Sequence, residues 1–324
     1  MNPRHTALAL AVVLLVAAVA PATAAAPVDE DAVGDLTVTT APATASAAAA
    51  AEAATASDAT DSLVAESDVA VFRLNASGVP AEADDDGTLL GDELTLTLRQ
   101  TASSVGVNET AKTLDASADT EGVAVRTTES AVYVAVDIAT TAFQQANGTG
   151  TADAGDSFTA TATVTDAVTD GENVTRTANF GVVEPSVNFV GGVDEATAGG
   201  TVEFTAATLL APGTSLTIAL APGEGESRTT TATVGTDGRA TGELSVDGFD
   251  AGEEYTVRAT AEGTDLNATV TGTIQAAATE TPASTPTATE TAEPTGTSTS
   301  GPGFGVVAAL LALLGAAAVA GRRA

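Results

Sequence analysis

Apolar residues recur at every second position through much of residues 63–277. Leu94, Leu96 and Leu98 alternate with threonine, and Phe158, Ala160, Ala162 and Val164 do the same. Residues 69–74, 123–125, 132–136 and 174–183 are further runs rich in Val, Ala and Thr. A period of two turns one face of a segment toward a core and the other toward water, which marks a half-buried strand. In the second half the strand candidates are 186–190, 202–206, 216–220, 229–234, 242–246, 255–259 and 268–274. Turn pairs separate them, among them Gly191-Gly192, Pro212-Gly213, Pro222-Gly223, Asp237-Gly238 and Asp247-Gly248. Short strands at this spacing, in units of about 100 residues, predict an all-β chain. The expected architecture is two tandem immunoglobulin-like antiparallel β-sandwiches over 63–184 and 185–277, with a small barrel as the alternative.

The flanks break the alternation. Residues 1–26 join Arg4, an apolar run over 7–20 and a stretch of small residues, the three parts of a secretory leader. Residues 27–62 are low in complexity and rich in Ala and Thr. Alanine favours helix, but no apolar stripe exists to dock one, so the segment reads as a disordered N-terminal linker. Residues 278–301 alternate Thr, Ser and Pro as an O-glycosylated stalk does. At ~3.1 Å per residue such a stalk spans roughly 70 Å. Residues 302–324 hold an apolar run ending at Arg322 and Arg323, a hydrophobic helix with a stop-transfer charge behind it.

Charge narrows the setting. The chain has 43 acidic and 11 basic residues, for a formal charge of −32. Three of the cations, Arg4, Arg322 and Arg323, lie in the terminal segments, so the body is more acidic still. Its only lysine is Lys112. Such self-repulsion loosens a compact fold in dilute buffer, and ~1 M salt, with a Debye length near 3 Å, screens it. The composition therefore points to life in concentrated salt and away from nucleic acid.

Chemistry is narrowed by what is missing. There is no Cys or Trp, and the one His and one Met, His5 and Met1, sit in the leader. Imidazole bases, thiol nucleophiles and soft metal ligands are thus excluded, and Schiff-base chemistry would rest on Lys112 alone. Carboxylate pairs arise by accident among 43 acids, and Tyr133 and Tyr255 are the only tyrosines to stack a sugar. The expectation is a protein that is not an enzyme.

Two motifs remain. Asn75, Asn108, Asn147, Asn173 and Asn267 each open an Asn-x-Ser/Thr sequon, five of the seven asparagines after the leader, an excess over chance that points to N-glycosylation. Glu82, Asp84, Asp86 and Glu93 fall at positions 1, 3, 5 and 12 of a calcium-loop spacing, with Gly87 at position 6. Leu90 occupies position 9 and the flanks read as strand and loop, so a solvated acidic turn fits the same residues. No cofactor other than calcium is expected.

Pro302, Gly303 and Phe304, the apolar run and the terminal arginines, all behind a Thr-rich stretch, resemble the PGF-type sorting signal of haloarchaeal surface proteins. The resemblance implies recognition by an archaeosortase, removal of the tail and a lipid in its place; an ordinary C-terminal transmembrane anchor gives the same topology. Ala211-Pro212-Gly213-Thr214, then Asp237-Gly238, then Ala251-Gly252 leading to Tyr255-Thr256-Val257, resemble the BGTF-type surface glycoprotein domain over roughly residues 150–277. That likeness implies a surface-layer role beside other surface-layer proteins and brings no catalytic residues. The combined expectation is a glycoprotein on the outer face of the membrane, matured by archaeosortase and glycosylation machinery. A stalked adhesin or binding module, calcium-dependent or not, is the alternative.

Overall fold

The computed structural model describes residues 28–56, 60–79, 89–102, 110–169, 171–193, 195–223 and 226–277, all within one compact unit, Met1–Ala278. The leader, the stalk and the 302–324 segment lie outside the described residues, as do Asn108, Glu82, Asp84 and Asp86. Among the described residues no helix is long and apolar enough to cross a membrane.

The first half comprises β1 (Val33–Ala41), α1 (Ala47–Ala54), β2 (Leu63–Ala65), β3 (Val69–Ala76), β4 (Leu94–Ala102), β5 (Thr113–Ala116), β6 (Val123–Thr127), β7 (Ala131–Asp137), β8 (Phe143–Gln145), β9 (Gly148–Gly150), β10 (Ser157–Val164) and β11 (Val174–Val183). They form a four-stranded sheet, β1-β3-β7-β6, and a seven-stranded sheet, β2-β11-β10-β4-β5-β8-β9. The second half comprises β12 (Val187–Phe189), β13 (Glu195–Thr197), β14 (Thr201–Thr208), β15 (Ser215–Pro222), β16 (Arg228–Thr233), β17 (Arg239–Ser245), β18 (Glu254–Ala261) and β19 (Ala268–Gln275). Its sheets run β12-β14-β17 and β13-β19-β18-β15-β16. Two tandem immunoglobulin-like sandwiches result, one core closing with β11 and the next opening with β12.

Both halves use one wiring. An opening strand, β1 or β12, pairs antiparallel at the edge of one sheet. The chain then crosses to the other sheet, where β2 or β13 lies parallel to the last strand, β11 or β19. These two parallel pairs depart from the all-antiparallel expectation, and the sheet switch is their cause: a strand that crosses over arrives running the same way as the strand it joins.

The alternating residues fill the cores. In the first, Leu94, Leu96 and Leu98 stand in register with Val164, Ala162 and Ala160, so large and small side chains alternate across β4 and β10. Phe158 stacks on Phe180 (ring centroids 5.4 Å apart) and meets Phe143 (5.2 Å), while Phe72 approaches Phe180 edge-on at 5.5 Å. Such rings contribute beyond their area. In the second, Leu216, Ile218 and Leu220 of β15 stand in register with Ala261, Ala259 and Val257 of β18, and Tyr255 belongs to the same core. Tyr255 lies over Gly272, where a Cβ would fall 2.5 Å from Cζ of the ring. Its hydroxyl donates to the Val193 carbonyl at 2.6 Å, so the buried ring keeps its polar end satisfied.

Within the span 27–62, the described residues 28–56 and 60–62 are not a linker. Val33, Leu36 and Val38 of β1 belong to the first core. Helix α1, capped by Ser46, covers the outer face of β3 and β7, burying Val69, Val71, Ala131, Tyr133 and Ala135. Its docking stripe is Ala47, Ala50, Ala51 and Ala54, at i, i+3, i+4 and i+7. A stripe of alanines within a run of alanines has no contrast to mark it, although small side chains suit close packing on a sheet.

Candidate functional site

The sequons differ in setting. Asn147 occupies the turn between β8 and β9, Asn267 the turn before β19, and both are exposed. Asn173, just ahead of β11, is exposed, and its Oδ1 accepts a hydrogen bond from the Asp166 N–H at 2.8 Å. Glycosylation uses the Nδ2 atom, so that bond and a glycan are compatible. Asn75 is half-buried within β3 rather than in a turn, in register with Ala131. Glu93 is buried just ahead of β4, and its backbone carbonyl accepts from the Thr165 N–H at 2.8 Å. Among the described residues no group of three acidic or imidazole side chains is placed to hold a metal ion.

The most elaborate region is the joint between the sandwiches, which the sequence did not flag. Ala65 ends β2 in the first sandwich, yet its methyl packs into the second core. The next turn carries Asp68, which is fully buried. Its Oδ2 accepts the Ala211 N–H from the β14–β15 connection at 2.8 Å, and the Ala43 N–H from the β1–α1 connection also bonds to the carboxylate. One side chain thus ties three segments. Burial pushes its carboxyl up to about 7, while the two backbone hydrogen bonds pull the other way. At the same seam, a Cβ on Gly263 would fall 3.2 Å from Cβ of Ala43; with its φ of +77°, glycine suits both the turn and the close approach.

Clefts of about 280, 420 and 430 Å³ open along this joint. The smallest is walled by Thr, Ala, Pro and Gly residues between β1, α1 and the Pro212–Gly213 turn. The others add acids, serines and leucines to such walls: Asp61, Ser62, Leu63 and Asp237 in one, Glu66, Ser67 and Asp265 in the other.

Solved structures similar to this chain include a chimeric titin Z1Z2 functionalized with a KLER exogenous peptide from decorin, at 15% identity and TM-score 0.33 over 66% of this chain and 91% of that one. The Yersinia pseudotuberculosis adhesin InvE is similar at 15% identity and TM-score 0.23, over 76% of this chain and 60% of that one. The titin I-band fragment I67-I69 is similar at 10% identity and TM-score 0.24, over 66% and 61%. No family model and no curated protein matches the chain. The fold rests on the strand pairing described above, and nothing about partners or activity follows from these likenesses.

Proposed function

We propose that this chain is a non-enzymatic structural glycoprotein on the surface of a halophilic archaeon, set in or against the surface layer and held at the membrane by its C-terminus. The observation that carries the reading is the exposure of Asn147, Asn173 and Asn267 at strand ends on both sandwiches, where a glycan meets solvent without disturbing a ladder. The acid excess supports it, because such a surface stays soluble in brine. The joint supports it too, since contacts from three segments onto Asp68 favour a pair of domains held at one angle. In this reading glycans shield the body, the stalk sets its height, and a lipid replaces the tail after Phe304.

Peptide mapping of the protein from its native envelope tests the proposal. The expected result is glycan on Asn147, Asn173 and Asn267 and a mature C-terminus that has lost the apolar run. Unmodified asparagines at all three positions overturn the glycoprotein reading. An intact Arg322-Arg323 end overturns the sorting step.

A further inference from the structure

Lys112, the chain's only lysine, is buried just ahead of β5. Its Nζ donates to Oδ2 of Asp156, itself fully buried ahead of β10, at 2.7 Å, and it also contacts Oδ2 of Asp153. Gln100 of β4 sits between them. Its Oε1 accepts the Lys112 N–H at 2.9 Å, which leaves its Nε2 to donate to Oδ1 of Asp156 at 2.6 Å. The Asp153 N–H donates to the Asp156 Oδ2 at 3.0 Å.

We propose that Lys112 and Asp156 are joined by an amide bond that forms within the folded chain. Three observations converge on it. First, every other cation of the body is arginine, which binds carboxylates better than lysine does. Lysine appears only where two aspartates, one of them fully buried, face it, and an amine can become an amide where a guanidinium does not. Second, two buried charges are expensive to keep, and the reaction replaces them with a neutral group. Third, the donors around Asp156 are aimed where charge develops. Gln100 Nε2–H points at Oδ1, the position of the oxyanion in a tetrahedral intermediate, and requires no reorganisation to serve it.

Asp153 is the proton carrier. Burial favours the neutral amine, yet the hydrogen bonds it donates to Asp153 and Asp156, together with their charges, outweigh it and raise the lysine pKa, so attack must begin with a proton transfer. The ammonium gives one proton through Asp153 to Asp156 Oδ2, leaving a neutral amine against a carboxylic acid. Nζ then attacks Cγ of Asp156, and Gln100 stabilises the oxyanion. Nζ passes a second proton to Asp153, which delivers it to Oδ2. The Nζ–Cγ bond forms, the Cγ–Oδ2 bond breaks, and one water leaves with both protons. Asp153 ends as it began, and no oxidant or cofactor takes part. The Asp153 side chain is 58% exposed, which opens a path for the water. The bond would clip the four-residue β5 to the lead of β10 across β4, in a chain that has no cysteine to do so.

Tryptic mapping of the denatured full chain tests this. Trypsin cuts after Arg99, Lys112, Arg126 and Arg176 unless the lysine is acylated. The expected product is 100–126 joined to 127–176, lighter by one water, with fragmentation placing the bond on Asp156 and no free 113–126 peptide. Lys112→Arg restores that peptide. Asp153→Ala, which keeps both partners, slows bond formation by about 10²-fold or more. Complete release of 113–126 from the denatured wild-type chain, or a bond located on Asp153, overturns the proposal.

Discussion

The two sandwiches share a wiring but solve the outer face of their opening sheet differently. In the second, β14 and β17 bury one side and leave the other to solvent, so their burial alternates. In the first, nearly every residue of β3 and β7 is buried, because α1 lies on the outer side. The difference begins in the crossing from opening strand to second sheet. Between β12 and β13 it takes five residues, 190–194; between β1 and β2 it takes 42–62 and includes a helix. Their cores differ as well. A chain of four phenylalanines, Phe72, Phe180, Phe158 and Phe143, runs through the first, whereas the second holds one phenylalanine pair, Phe189 and Phe204, and a tyrosine seated on a glycine. A crossover loop is therefore where this fold takes on a third layer without altering its strand pairing.

The largest expected effect separates the cores. Phe158 touches two other rings and is buried, so Phe158→Ala should cost about 3–5 kcal/mol. Tyr133 reports on the first sandwich and Tyr255 on the second, with no Trp to obscure either. Urea unfolding in ~1 M salt, followed by tyrosine fluorescence in Tyr133→Phe and Tyr255→Phe backgrounds, should show the first transition moving and the second staying. Transitions that move together would mean that the joint makes the two sandwiches one cooperative unit.

The joint supplies the next effect. The folded state raises the Asp68 carboxyl from 3.8 to about 7, so the fold holds that proton more tightly than the unfolded chain does. The contribution to stability is complete below about pH 4, is lost as pH rises toward 7, and has a ceiling of about 4 kcal/mol. Asp68→Asn keeps an acceptor for the Ala211 N–H and removes the charge. It should match wild type at pH 4 and exceed it by about 2–4 kcal/mol at pH 8. Subtracting the two profiles cancels the background of other acids, including Glu66 and Asp265 at the neighbouring cleft. A flat difference would place the Asp68 carboxylate in water and the joint in an open state.

The second sandwich was the more legible in sequence. Clean alternation, with Gly, Pro and Asp at the turns, marked seven of its strands; only the three-residue β13 was missed, being too short to show a period. In the first, the long inner strands β4, β10 and β11 were legible for the same reason. Strand β1 was hidden by its Ala-rich surroundings, although Leu36 and Val38 do alternate. The short strands β2, β5, β8 and β9 offered too few residues to display a period. The continuous apolar runs of β3 and β7 were a signal that a second face needed cover. Asp68 and Asp156 were invisible as special, because one buried acid among 43 looks like any other until the chain is folded.

The smallest effect tests the element that separates the two halves. If α1 is held by its alanine stripe, a larger side chain there must push the helix from the sheet. Ala51 is fully buried against β3 and β7, so Ala51→Leu should cost about 1–3 kcal/mol through overpacking. Ala49 faces solvent one residue outside the stripe, and Ala49→Leu should stay within about 0.5 kcal/mol of wild type. The ion pair from Glu52 to Arg126 of β6, at 2.6 Å, also bridges helix and sheet, but both side chains are more than half exposed. Salt screens such a pair, so Glu52→Ala should likewise change stability by less than about 0.5 kcal/mol in molar salt. All three are read by urea unfolding of the first sandwich. Packing then outweighs charge in holding the helix. A neutral Ala51→Leu, or a costly Glu52→Ala, would reverse that ranking and make the helix an electrostatic attachment rather than a third layer.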